Sequence, residues 1–311
     1  MKLLLPLLFI AFSTTVYSQK FSTDDPARYN NYMVNEQIKV GNKMVELSHL
    51  FQSTNDVNLL KNKNQEVVNQ VIESIKLIEN MEPFKGDAYF RDEVLLCFKQ
   101  YKVVHESKYV RLAILHNQRQ ASYDIMEEYF NLQINAEKMV QQQSERAIYL
   151  QDQLCKKYNI EKAKNPLQET MDMIRALNKH YREVYIEVIP FLRIDDAFLE
   201  TINGEDFAQM KRLNSELLNT SVKAISNIEK VEQVNNYSRY QDAAIAQATQ
   251  YKNWAQQEYQ EMIKILENKP FTQETADRYN AIIQEINDKN VQMMNEFNAA
   301  SVDLINKNMP R

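Results

Sequence analysis

From Asp56 onward the apolar residues recur at spacings of three and four: Val57, Leu60, Val67, Val71, Ile75 and Ile78, with Asn64 taking one apolar place. A stripe of that period winds along one face of an α-helix and marks the face that leaves water. The pattern returns as Phe207, Met210, Asn214, Leu217, Ser221, Ile225 and Ile228, again with an asparagine in the third place. A longer stripe, Ile125, Tyr129, Leu132, Ala136, Met139, Ala147, Leu150 and Leu154, predicts a helix of about 37 residues, or roughly 55 Å.

Helix breakers are scarce. The chain has three glycines and seven prolines, and most of them fall between the periodic stretches. Pro26 opens the first helix, Pro83 and Gly86 mark a turn, Asn165-Pro166 start a new helix, Gly204 ends one and Pro270 marks another turn. Gly41 and Pro190 fall inside predicted helices. Each is expected to weaken or kink its helix, Pro190 more severely because it also removes a main-chain donor.

Sliding the sequence over itself gives an ungapped match at an offset of 150 from Asp56–Tyr109 against Asp206–Tyr259. The identities include Asn64/Asn214, Ile75/Ile225, the run Gln100-Tyr101-Lys102 against Gln250-Tyr251-Lys252, and Tyr109/Tyr259. Breaks transfer between the copies: Gly204 falls at the Ser53-Thr54-Asn55 turn, Pro83–Asp87 at Gln233–Ser238, and Pro270 at Gln120. These correspondences predict an all-α fold made by tandem duplication of an elongated four-helix unit. The helices are expected at residues 26–52, 55–82, 87–117 and 122–158 in a first unit spanning 19–160, and at 166–202, 205–233, 237–268 and 273–307 in a second spanning 161–311. Short turns between long amphipathic helices favour two up-and-down bundles in series.

The N-terminus changes the expected compartment. Lys2, the apolar run Leu3–Phe12 and the small-x-small triplet Val16-Tyr17-Ser18 form a secretory signal, with cleavage expected between Ser18 and Gln19. The run is about half the length that spans a bilayer. The longest later apolar stretch, Ile186–Leu192, contains Glu187 and Pro190, so no stable membrane insertion is expected. The expected location is periplasmic, cell-surface or extracellular. With a formal net charge of −5 the chain lacks the concentrated basic face of a nucleic-acid binder. Cys97 and Cys155 would enter an oxidising space, yet an antiparallel partner of Cys97 falls about fourteen residues, or roughly 20 Å, short of Cys155, so no bridge is expected between them.

Candidate chemistry is thin. Glu46 and His49 have the Glu-x-x-His spacing of di-iron bundles, but no second pair of that kind exists and the repeat places Leu199 opposite His49. His180 and Glu183 share a helix face and read as a solvated pair. His105 and His116 return to one face after eleven residues, while their counterparts, Ala255 and Leu266, cannot ligate a metal. No nucleophile elbow, phosphate loop or Cys-x-x-Cys occurs. No catalytic residue, metal ligand or cofactor is therefore assigned. Of the polar residues kept in both copies, Asn64/Asn214 are expected to fix helix register from within the core and Tyr101/Tyr251 to find partners there for their hydroxyls. The expected function is an exported, non-enzymatic helical scaffold or surface interaction protein whose partner is another protein or a surface structure. The alternative is a bundle that holds a small or apolar ligand, with one cavity per repeat.

Overall fold

The computed structural model describes residues 21–202, 204, 206–268, 270 and 272–310, so the signal segment with Ser18 and Gln19 lies outside the described residues. The described chain is all-helical. Helix α1 is Pro26–Ser53, α2 is Val57–Glu79, α3 covers 89–118 and α4 is Tyr123–Tyr158. After a connection that begins with left-handed Asn159, α5 is Leu167–Ile202, α6 is Phe207–Ile228, α7 covers 239–267 and α8 is Gln273–Asn308. The starts are set by side chains that accept the first free N–H groups: Asp25 before Pro26, Asp56, Ser122, Asp206 and Thr272.

The second helices end at Glu79 and Ile228, before the expected limits of 82 and 233, because a tight turn follows each. In Phe84–Asp87 the central Lys85 and Gly86 have φ of 50° and 83°; in Val234–Tyr237 the central Asn235 and Asn236 have φ of 51° and 57°. Two left-handed residues in succession reverse the chain within four residues, and glycine and asparagine tolerate that geometry best. The main-chain carbonyls leading into these turns are bonded from outside. Arg91 Nη1 donates to the Met81 carbonyl at 2.8 Å, and Gln241 Nε2, 150 positions later, donates to the Val231 carbonyl at 3.2 Å. The Tyr29 hydroxyl donates to the Glu82 carbonyl at 3.2 Å, and His180 Nδ1 to the Glu232 carbonyl at 2.8 Å. Equivalent carbonyls are satisfied by chemically different side chains.

In the first half α2 packs between α1 and α3, with α4 along α3; in the second, α6 packs between α5 and α7, with α8 along α7. One core centres on Met33, Val67, Val71, Phe98 and Phe130, the other on Phe191, Phe198, Leu217, Tyr251 and Trp254. Tyr181 and Tyr185 of α5 pack against both cores, with their rings 6.2 and 5.7 Å from that of Phe130. Helix α1 also meets the start of α5. An added Cβ at Gly41 would stand 2.9 Å from Leu167 Cδ1, so this mid-helix glycine permits a close approach between the halves. Pro190 does not end α5, which runs through it. Pro190 is exposed, and the carbonyl deprived of a donor belongs to Ile186, a residue that is 37% exposed.

The third helix of each half contains an irregularity. Helix α3 widens to a π turn at His105–Tyr109, and α7 breaks at Gln257, whose φ and ψ are −126° and −79°. The predicted buried asparagines meet these places. Asn64 Nδ2 donates to the His105 carbonyl at 2.9 Å, and Asn214 Nδ2 donates to the Ala255 carbonyl at 2.8 Å. A slipped helical ladder leaves carbonyls poorly served by their own helix, and each carboxamide supplies a donor from the neighbouring one. In the first half the bond is reciprocal, because His105 Nδ1–H donates back to Asn64 Oδ1 at 2.8 Å. Asn64→Ala is therefore expected to cost about 2–4 kcal/mol, and Asn214→Ala, which strands one carbonyl, about 1–2 kcal/mol. Urea unfolding midpoints check this ordering, and equal losses would contradict it.

Candidate functional site

The four histidines do not converge. His49 is half-buried on α1, while Glu46 is drawn into an ion cluster with Lys43, Lys63 and Glu66 at 2.9–3.2 Å. His180 is buried rather than solvated, a correction to the sequence reading: α5 turns it toward the Glu232 carbonyl, and Glu183 remains outside near Lys179. His105 is closed against Asn64 and stacked on Tyr109 at 4.3 Å. Burial holds it down to about 3, so it is a neutral core residue. Among the described residues no group of three or more His, Cys, Asp or Glu side chains is placed to hold a metal ion. Cys97 and Cys155 are free, buried thiols, and burial pushes Cys97 up to about 11.

His116 leads to a different site. Its Nε2 meets the Thr54 carbonyl at 3.0 Å, and a carbonyl only accepts, so Nε2 carries the proton. Nδ1 then accepts from the Tyr129 hydroxyl at 3.2 Å. With both nitrogens engaged and the ring buried beside Arg119, His116 is held down to about 3 and stays neutral. It forms one wall of a cleft of about 350 Å³ between the two halves, with Phe51 and Gln52 of α1, Tyr129 and Gln133 of α4, Asn178 and Tyr181 of α5, and Ser301 of α8. A second lobe of about 620 Å³ continues past Arg119, Gln120 and Asn298 to Tyr123, Tyr185, Leu192 and Asp196. A smaller space of about 60 Å³ lies beside Tyr101 and Gly41, also on the seam, where Leu167 and Met171 of α5 line it.

Arg119 sits where the two lobes meet. Its Nη1 donates to Asn55 Oδ1 at 3.0 Å and to the His116 carbonyl, and its guanidinium carbon stands 5.8 Å from the Tyr129 ring centroid. The position follows from the turn after α3, which carries Arg119 past the last helical residue and over the aromatic wall. The floor is tied by a polar relay across the halves. Gln52 Nε2 donates to Asn178 Oδ1 at 3.1 Å, Asn178 Nδ2 donates to Glu137 Oε1 at 2.8 Å, and Arg182 pairs with Glu137 Oε2 at 2.7 Å. No spacing in the sequence marks Arg119, Asn178 or Arg182 as partners. Their meeting depends on how the second half docks on the first. The aromatic members were visible only as members of helix faces.

A second cluster lies on the other side of α5. Asp195 is buried and accepts from the Tyr259 hydroxyl, just past the break in α7, and the Tyr259 ring stacks on Phe198 at 4.3 Å. Burial pushes Asp195 up to about 7; the Tyr259 bond opposes this and neighbouring Asp196 adds to it. No family of proteins, no curated protein and no solved structure matches this chain.

Burial raises the Asp195 carboxyl, whereas hydrogen bonds and ion pairs lower Glu66, Asp87, Glu261 and Asp303 and, against burial, Glu46. The Asp195 carboxyl is protonated more readily in the folded chain than in the unfolded one, so its contribution is complete below its ordinary value of 3.8 and is lost as the pH rises through about 7. Asp195→Asn keeps an acceptor for Tyr259 and removes the titration. The melting temperature of this variant is expected to gain several degrees on the wild type as the pH is raised from about 4 to about 8. A difference independent of pH, read by calorimetry, would rule this out.

Proposed function

We propose that this chain is an exported, non-enzymatic helical interaction protein, built by tandem duplication, that presents its outer surface to another protein or to a surface structure. The observation that carries the reading is an exposed apolar stripe on α3. Tyr89, Leu96 and Val103 follow one another at intervals of seven and are 61%, 51% and 50% exposed. Residues seven apart on an α-helix share a face. The ion pair between Glu93 of α3 and Arg146 of α4 brings Tyr149, 59% exposed, to the Tyr89 end of the same stripe. Apolar side chains grouped in this way, rather than scattered singly, favour a partner that covers them. The corresponding residues of the second half are Arg239, Ala246 and Asn253. That this stripe is not repeated at the matching positions fits a duplicated scaffold in which the two copies present different contact surfaces. The duplication itself draws on the paired carbonyl bonds, the paired turns and the paired asparagines at the 150-residue offset.

A second reading, the binding of a small ligand, is favoured by the cleft around Arg119. It places one site on the seam between the halves instead of one cavity in each repeat. The interaction reading is tested by pull-down from the envelope and culture medium with wild type and with the double substitution Leu96→Glu/Val103→Glu. Both positions face solvent, so stability is expected to change by less than about 0.5 kcal/mol while partner capture is lost. Equal capture by both forms would overturn this reading.

A further inference from the structure

We infer that the inner lobe of the inter-half cleft is a binding site for a small organic carboxylate with a flat apolar body, its carboxylate on Arg119 and its body against Tyr129 and Tyr181. This deepens the ligand-binding reading and is independent of the outer α3 stripe.

Charge supports the anion. The whole chain is acidic, with 42 Asp and Glu against 37 Lys and Arg, yet among the described residues lining the inner lobe Arg119 is the one with a formal charge. His116 adds none, because its two nitrogens are spent on the Thr54 carbonyl and the Tyr129 hydroxyl. Two carboxylates beside the cleft are engaged elsewhere. Glu137 is paired with Arg182 beneath the lobe, and Asp196, on the outer lobe, accepts from Tyr123 at 2.8 Å. A cation set in a concave surface free of acidic side chains selects for negative charge in what enters.

Preorganisation supports a carboxylate in particular. Among the described residues, the protein bonds of the Arg119 guanidinium run through Nη1, to Asn55 and to the His116 carbonyl. They fix the plane of the group and leave Nη2 and Nε as the edge that matches the two oxygens of a carboxylate. The guanidinium is thus oriented before any ligand arrives, which lowers the ordering cost of binding.

The walls define the rest of the ligand. Tyr129, Phe130 and Tyr181 give aromatic surface, and the amides of Gln52, Gln133 and Asn298 line the same lobe with donors and acceptors. A cavity of about 150 Å³ accommodates a benzene ring, so about 350 Å³ holds an aromatic acid with its polar ends solvated. Such a lining suits a molecule with an apolar middle and polar termini better than a purely hydrocarbon one.

The test uses the purified full chain, with 4-hydroxyphenylacetate as the probe and 4-hydroxyphenylacetamide as its uncharged match, followed by titration calorimetry and ligand-observed NMR. The acid is expected to bind saturably and at least about tenfold more tightly than the amide, as loss of a charge-assisted pair implies. Arg119→Gln is expected to remove that preference. Because Arg119 also holds Asn55 and the His116 carbonyl, a second variant is needed. Val302→Trp fills the rim from a position that is 57% exposed, and it is expected to block the probe with the melting temperature unchanged. Equal affinity for acid and amide, absence of saturation up to about 10 mM, or binding unchanged in Val302→Trp would each overturn the assignment. Partner capture in the pull-down is read separately, so loss of one proposal leaves the other standing.

Discussion

A side-chain amide on the second helix of each half, bonded to a main-chain carbonyl of the third, is the constraint around which the rest of the packing is arranged. Asn64 and Asn214 are nearly inaccessible to water, so their amides lose solvent bonds on folding and must regain them inside. Their Nδ2 donors regain a bond at one place along the neighbouring helix, where the ladder slips and presents a carbonyl with spare capacity. Sliding α2 against α3 by a turn would bury the amide against apolar side chains and leave the carbonyl unserved. The bond therefore penalises wrong registers more than it stabilises the right one, as expected when an unpaired buried polar group costs more than a paired one returns.

The same logic governs the junction between the halves. Gln52, Asn178, Glu137 and Arg182 form a relay through which α1, α4 and α5 are held in one arrangement. A buried ion pair returns in attraction about what it costs in desolvation, so the effect of Glu137 and Arg182 is to disfavour any docking that leaves either charge alone. Around this relay Tyr181 and Tyr185 join the two apolar cores, and Gly41 lets α1 approach the start of α5. The cleft lies beside the relay because amides and a guanidinium cannot close into a dry core. A polar seam leaves space that an apolar seam would fill.

Neutral histidines are a consequence of this architecture. Long helices with tight turns bring side chains against carbonyls at helix ends and slips, and burial holds an imidazole that donates there uncharged, against the carbonyl bond, which favours the charged form. His105, His116 and His180 each serve a carbonyl or amide partner in this way. The halves reach the same end with different chemistry, as Tyr29 and His180 show at equivalent carbonyls. What the two positions share is a donor to the carbonyl, a phenol in one half and an imidazole in the other.

The helices and most of their limits could be read from the chain, because a period of 3.6, a capping oxygen and a left-handed turn residue are local properties that act within a few residues. Asn64 and Asn214 were visible as polar members of an apolar stripe, and Asp56, Ser122 and Thr272 cap the helices that follow them. The shortening of α2 and α6 was not visible, since the side chains that bond the carbonyls leading into the turns, Tyr29, Arg91, His180 and Gln241, come from other helices. Nor were the π turn, the burial of His180, the tolerance of Pro190 or the cleft around Arg119. Each of these depends on which surface a distant helix presents: a carbonyl from the other side of a turn, water on one face of α5, or the docking of residues 167–202 on residues 26–158. Periodicity fixes which face of a helix is buried; only the packed chain decides what that face is buried against.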